Sequence, residues 1–400
     1  MFNRKSACAC DLERGGMKPI VKAMIVSRLI GSTPDWMCTA SGESSVVMSS
    51  RLRLARNLEG HAFPTWGDKA ERQRVYETVM PPVRALPAMR EPLVIEGMES
   101  FSMIEKQLLV EQHLVSREHA AKGPGSGVAI SGDRGVSILV NEEDHLRIQA
   151  FAAGFDLGSV WETVTGMDDA LERVIPFAYS SDFGYLTACP TNVGTGMRAS
   201  AMLHLPGLVL GEQINQIVQA VGKLGLAVRG LYGEGTEALG NLFQVSNQMT
   251  LGESEAEIMA RLGKVIRQIV EHEQNARASL MERKPRMVAD NVGRAYGILT
   301  NTYSIASKEA MNLLSVIRLG IELEMMAEEL RKTVDELMIW MQPAHLQAKE
   351  EKKLSTEDRD GLRADLIRER LKGLGKPDAG KVVEPPDGPA DRGKQSKKDE

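Results

Sequence analysis

The chain has 400 residues, a formal net charge of -5 from 49 basic and 54 acidic side chains, and 42% apolar residues. That balance fits a globular protein with an ample core and excludes a general nucleic-acid binder. Cysteines at 8, 10, 38 and 189 are too few and too scattered for a disulfide framework, which points to a reducing cytoplasm. Cys8 and Cys10 lack the further ligands of a zinc site, and no apolar run approaches the roughly 20 residues of a membrane span.

Residues 1–45 show no clean periodicity and read as a disordered or loosely docked extension, with Met17 and Met24 as alternative starts. A short strand over 46–48 then delivers Ser49-Ser50-Arg51-Leu52-Arg53. In an extended segment the side chains of Arg51 and Arg53 point to one side. On these residues alone, two exposed arginines on an edge strand are the commoner reading. The spacing predicts a helix over 68–86, a strand over 92–96 and a helix over 105–114 that ends near His113. GPGSG at 123–127 reads as a mobile loop.

The apolar run VSILV, 136–140, is a buried strand leading into NEEDHLR, 141–147. Three acids beside His145 and Arg147 at a strand end make either a solvated turn or a site. In the second case a carboxylate from Glu142 or Glu143 grips or deprotonates a substrate while Arg147 faces phosphate. A helix at 168–174 and a strand at 184–188 precede CPTNVGTGMRASAM, 189–202. Its Gly194-Thr195-Gly196 admits close approach of backbone N–H groups to a bound anion, and a helix expected after Arg198 aims its N-terminus there.

An amphipathic helix follows over 208–224, and a strand over 226–231 carries Arg229 toward Tyr232-Gly233-Glu234-Gly235. A strand at 242–250 and a capping box at Ser254 open a long helix. Residues 290–341 are almost wholly helical, Pro343 stops that tract, and Ser355 starts a helix containing RDGLRA, 359–364. The tail after 373 has almost no large apolar residue and reads as disordered.

Arg51, Arg53, Arg147, Arg198 and Arg229 would repel one another if gathered, unless a polyanion lay between them. A nucleoside triphosphate meets that need. The GxxxxGK[ST] loop is absent, so phosphates would sit in an arginine cage, and Mg²⁺ would be held mainly by the nucleotide. A guanidinium acceptor suits Glu143 and Glu234, which could orient it and take its proton.

Together, SSRLRLARN, NEEDHLRIQ, CPTNVGTGMRAS and RGLYGEG resemble the phosphagen (guanidino) kinase superfamily, most closely its bacterial protein-arginine kinase branch, over 46–372. The resemblance implies an α+β catalytic domain over 46–276, an antiparallel sheet flanked by helices, followed by a helical C-terminal domain over 285–372. It implies an ATP site lined by Ser49, Ser50, Arg51, Leu52, Arg53, His113, Arg147, Arg198, Ala199, Ser200, Ala201, Met202, Arg229, Gly230, Leu231, Tyr232, Gly233 and Glu234. Glu143 is similar to the family's catalytic carboxylate and Glu234 to its partner. Cys189 is similar to its active-site cysteine, although a small residue packed under the loop remains an alternative.

Only 48 residues precede Ser49, so the helical lid of small-molecule guanidino kinases is expected to be missing, leaving the site open to an arginine on a protein. RDGLRA resembles the branch's phosphoarginine-binding motif, with Arg359, Asp360, Arg363 and Ala364 as its residues. The implied partners are protein substrates, an activator, a Clp-type protease, a transcriptional repressor as substrate and a second copy in a homodimer. A kinase for a small guanidino compound and a non-catalytic phosphoarginine-binding adaptor are the alternatives.

Overall fold

The computed structural model describes residues 19–37, 45–230, 238–373 and 375–378. In chain order its elements are α1 Pro19–Gly31, β1 Val47–Arg56, α2 Lys69–Ala85, β2 Pro92–Gly97, α3 Met103–Glu111, α4 Arg117–Ala120, β3 Gly127–Ser131, β4 Val136–Val140, β5 Leu146–Ala153, α5 Leu157–Glu172, β6 Tyr179–Ser180, β7 Gly184–Tyr185 and β8 Met197–His204. There follow α6 Pro206–Leu210, α7 Ile214–Lys223, β9 Leu226–Gly230, β10 Leu242–Asn247, α8 Glu255–Arg283, α9 Pro285–Asn301, α10 Ser307–Glu322, α11 Leu330–Trp340, α12 Pro343–Lys349 and α13 Thr356–Leu371.

Eight strands form one antiparallel sheet in the order β2-β3-β4-β5-β1-β8-β10-β9, with β1 near its middle. Strand alternation gives the sheet two unlike faces. Leu52, Leu54, Ile148, Ala150, Ala199, Ala201 and Val245 belong to a core shared with helices α2, α5 and α8. The opposite face is arginine-rich at the sheet's centre. Toward β2 and β3 it is covered by α1, α3 and α12 through Leu29, Leu108, Val128 and Ala344. Helices α9 to α13 enclose a separate core that takes in Met48 and Leu242. The chain is therefore α+β, with a helical C-terminal region.

Several local expectations fail. The helix expected after Arg198 is instead the central strand β8, hydrogen-bonded to β1 on one side and β10 on the other. Its small residues at 199 and 201 would suit a helix, but the two ladders and the core beneath override that weak preference. The 208–224 helix breaks at Glu212, whose φ is 56°, into α6 and α7. The 184–188 strand shrinks to two residues. The loop at 123–127 is pinned, because Asn141 Nδ2 donates to Gly125 O (2.6 Å) and Ser126 Oγ donates to Asn141 O (3.2 Å). Finally, residues 19–37 do not fit the disordered or loosely docked extension, since Ile25, Leu29, Trp36 and Met37 are buried against the sheet and α3.

Candidate active site

The site grows from strand register. Arg53 lies opposite Arg198 on β8 and Gln149 on β5, while Arg51 lies opposite Ser200 and Phe151. Arg147 lies opposite Ala55, and Arg229 lies opposite Gln244 at the sheet edge. Directly paired residues share a face, so three strands, β1, β5 and β8, deliver Arg51, Arg53, Arg147 and Arg198 to one patch. A cleft of about 340 Å³ there is lined by Arg53, Glu143, Arg147, Asn192, Gly196 and Arg198 among others.

These cations are short of counter-charge. Among the described residues Arg51, Arg53 and Arg198 make no ion pair with a carboxylate, and the Nε of each is buried without a hydrogen-bond partner. Burial, then the neighbouring Arg147, lowers the Arg51 pKa to about 9. Burial also lowers Arg53, with Arg51 next among the causes, and it lowers Arg198, helped by Arg229. Crowded, desolvated guanidinium groups with free donors are a ready receptor for a polyanion.

The acidic segment divides by role. Glu142 is buried, pairs with Arg147 and accepts from Ser116 Oγ, so it orients the cage. Glu143 keeps 42% of its side chain exposed at the cleft, with Oε2 3.5 Å from Arg147. Burial and the adjacent Asp144 raise its pKa, which suits a proton acceptor. Asp144 turns inward and accepts from Asn57 Nδ2 and Ala188 N, each at 2.7 Å. His145 accepts from Leu58 N through Nδ1 (3.0 Å) and donates through Nε2 to Ala62 O (3.0 Å), a neutral tautomer, and burial lowers its pKa to about 4. These two residues hold the surrounding loops.

The glycine loop is also structural in part. A side chain at Gly194 (φ 110°) would lie 2.6 Å from Thr250 O, and one at Gly196 (φ 65°) would lie 2.6 Å from Ala55 O. Both glycines are thus required by chain packing, and only Gly196 lines the cleft. Cys189 is half-buried at the start of this loop, its Sγ 3.0 Å from Thr191 Oγ1.

Ser49, Arg51, Arg53, Arg198, Ser200 and Met202 face the site, and His113 lines a neighbouring cleft with Arg51. The side chains of Leu52, Ala199 and Ala201 point into the opposite core, and Ser50 Oγ is spent on Gly154 O (2.9 Å) and Asp156 N (2.9 Å). Arg229 is exposed and ends, with Gly230, the described part of its segment. Leu231, Tyr232, Gly233 and Glu234 lie outside the described residues. Arg363 is not poised in an open groove. It is 1% exposed and donates to Met341 O (2.9 Å) and Ile305 O (2.8 Å) while pairing with Asp360. Ala364 is buried in the helical core, and Arg359 is only partly buried.

Sequence reasoning missed three supports. Gln149 Oε1 accepts from Arg51, Phe151 lies under its guanidinium, and Arg56 pairs with Asp168 while its guanidinium lies 3.5 Å from the Tyr185 ring centroid. The first two were readable, because Arg147, Gln149 and Phe151 alternate as Arg51 and Arg53 do.

Residues 83–276 match the family described as ATP:guanido phosphotransferase, C-terminal catalytic domain, and residues 285–382 match the Protein-arginine kinase McsB C-terminal domain. The chain is 44% identical to the protein-arginine kinase of Halothermothrix orenii over 84% of its length and 96% of that protein. It is 46% identical to the protein-arginine kinase of Shouchella clausii over 84% of its length and 94% of that protein. Among solved structures it is similar to the duplicated taurocyamine kinase of Schistosoma mansoni, with a TM-score of 0.54 and 26% identity. That match covers 62% of this chain and 35% of the duplicated one.

Proposed function

The chain belongs to the protein-arginine kinase family of ATP:guanido phosphotransferases, and from that premise we propose that it phosphorylates arginine side chains of proteins at the expense of ATP. The observation that carries this reading is the set of buried, unpartnered guanidinium donors of Arg51, Arg53 and Arg198 beside Glu143. The arginines bind and neutralise the triphosphate. Mg²⁺ bound with the nucleotide would supply further charge neutralisation. Its ligands would be chiefly phosphate oxygens and water.

Glu143 orients the acceptor guanidinium, whose high pKa otherwise makes it a poor nucleophile. As a guanidino nitrogen bonds to the γ-phosphorus and the bond to the ADP oxygen breaks, Glu143 takes the nitrogen's proton. Glu234 is proposed as the second carboxylate and Cys189 as a further contact of the acceptor. We also propose phosphoarginine binding at the motif of Arg359, Asp360, Arg363 and Ala364, with the partly buried Arg359 and Asp360 as its accessible groups and the buried Arg363 and Ala364 supporting them from below, together with a homodimeric state, a cytoplasmic location and an activator protein. Its products would mark proteins for Clp-type proteolysis and inactivate a stress-gene repressor. Among the described residues no helix is long and apolar enough to cross a membrane.

The test is transfer from ATP to an arginine-rich unfolded protein, with free arginine and creatine in parallel and acid lability of the product followed. Acid-labile phosphate confined to protein is expected. Saturable transfer to a free guanidino compound would replace this reading with a small-molecule kinase, and nucleotide binding without transfer would point to an adaptor or to a missing activator.

A further inference from the structure

The turn Asp35–Met37 lies in the chain before every residue assigned to the nucleotide site, yet it reaches that site. Trp36 is 4% exposed, and its Nε1 donates to Arg134 O at 2.9 Å. Arg134 is fastened in turn to Ser32 O (2.7 Å), Ser32 Oγ (2.9 Å) and Gln112 Oε1 (3.2 Å). Gln112 Nε2 donates to Leu29 O at the end of α1 (2.6 Å). The indole is thus anchored by one hydrogen bond to a residue that is itself tied back to Ser32 and, through Gln112, to α1.

What that indole touches bears on phosphate binding. Its ring is stacked on Phe151, with centroids 4.4 Å apart and planes 16° from parallel. The Arg51 guanidinium carbon lies 5.2 Å from the centre of the same Phe151 ring. His113 stands 6.5 Å from the indole. Trp36, Ser49, Arg51, His113, Phe151 and Met202 line a cleft that shares Arg51 with the arginine cage. A flat apolar wall with a few polar groups, one side chain away from a phosphate receptor, matches an aromatic base joined to a phosphate chain.

We propose that Trp36 is a positioning residue of the nucleotide site: it fixes the Phe151 ring against which Arg51 rests, and it walls the cleft that takes the nucleobase. The inference rests on reading the arginine face as the ATP site. It makes the segment ahead of β1 a working part of that site.

Trp36→Leu should raise the dissociation constant for ADP and the KM for ATP by roughly 10-fold. The kcat should stay within about threefold and the KM for protein substrate should not move, because Trp36 touches neither Glu143 nor the acceptor side. Trp36→Phe should recover most of the loss by keeping a stacked ring. A folded Trp36→Leu protein with unaltered KM for ATP, or with equal loss at every substrate, would overturn the proposal. If that variant does not fold, the chain carrying Trp66→Phe, Trp161→Phe and Trp340→Phe retains Trp36 as its single tryptophan. Its emission should then change saturably with ADP, and an unresponsive signal despite calorimetric ADP binding would refute the idea. Wild-type protein that binds no ADP at all would remove the ATP-site reading itself, and this inference with it.

Discussion

Replacing Arg53 with methionine should push the free and nucleotide-bound protein in opposite directions. Arg53 faces Arg198 across the β1–β8 ladder and shares its face with Arg51 and Arg147. Two guanidinium charges roughly 7 Å apart at an effective dielectric of about 20 repel by about 2 kcal/mol before salt screening. Methionine keeps most of the apolar stem while removing the charge and its desolvation cost. The free protein should therefore gain on the order of 1–2 kcal/mol, a rise of about 2–6 °C in Tm for a domain of this size. With ADP present the lost charge-assisted hydrogen bonds should cost about 1.5–3 kcal/mol, weakening binding roughly 10- to 150-fold. Thermal unfolding with and without MgADP reads both effects in one experiment. A lower Tm for the free variant, or undiminished stabilisation by ADP, would show that the cage is not held together against its own charge.

Glu143→Gln keeps the side-chain shape but cannot take a proton, so turnover should fall about 10²- to 10⁴-fold while ADP affinity, by calorimetry, stays within about threefold. Arg363→Ala should cost roughly 3 kcal/mol in urea unfolding, because it strands the carbonyls of Met341 and Ile305 and leaves Asp360 without its partner. Arg359→Ala, on the outer side of the same helix, should stay within about 0.5 kcal/mol. The reverse order would contradict the burial of Arg363. His119 is buried and neutral, with a pKa lowered to about 4 mainly by desolvation. Below pH 6.5 the unfolded chain binds a proton that the folded chain refuses. Its contribution is thus complete above pH 6.5 and is lost as pH falls toward 4, at about 1.4 kcal/mol per unit. His119→Asn should lack that slope, and parallel stability curves for the two proteins would refute it.

How much of this was legible in the sequence depended on whether a signal was local. Alternation in SSRLR placed Arg51 and Arg53 on one face, and the capping box at Ser254 and the serine at 355 marked true helix starts. The strand nature of β8 was hidden, because Ala199, Ala201 and Met202 carry no strong β preference and the two ladders that fix them come from residues about 50 and 150 positions away. Trp36 was invisible for a related reason: its partners, Arg134 and Phe151, lie about a hundred residues along the chain. The glycines at 194 and 196 were recognisable as backbone signals, but the packing approach to Thr250 and Ala55 that also requires them comes from distant segments. Glu234 was singled out by its glycine-bracketed setting and falls outside the described residues.

The sheet explains how such a face can exist at all. In β1, β5 and β8 each arginine presented upward is followed by an apolar side chain presented downward. Leu52 and Leu54, between and beside Arg51 and Arg53, are at most 1% exposed. Burying each contributes about 2 kcal/mol, comparable with one guanidinium pair's repulsion. The strand pairings that hold these leucines over α2, α5 and α8 also hold the arginines in register, so relaxing the repulsion would require breaking the core beneath it. A glycine-rich phosphate loop stores its donors in the backbone of one segment. Here the donors are side chains whose spacing is set by the ladder, and the receptor is preformed because the opposite face of the same strands is the hydrophobic core. Disturbing that core, as with Leu52→Ala, should therefore weaken nucleotide binding as well as stability, although Leu52 points away from the site. Stability lost with undiminished ADP affinity in the folded fraction would break that link.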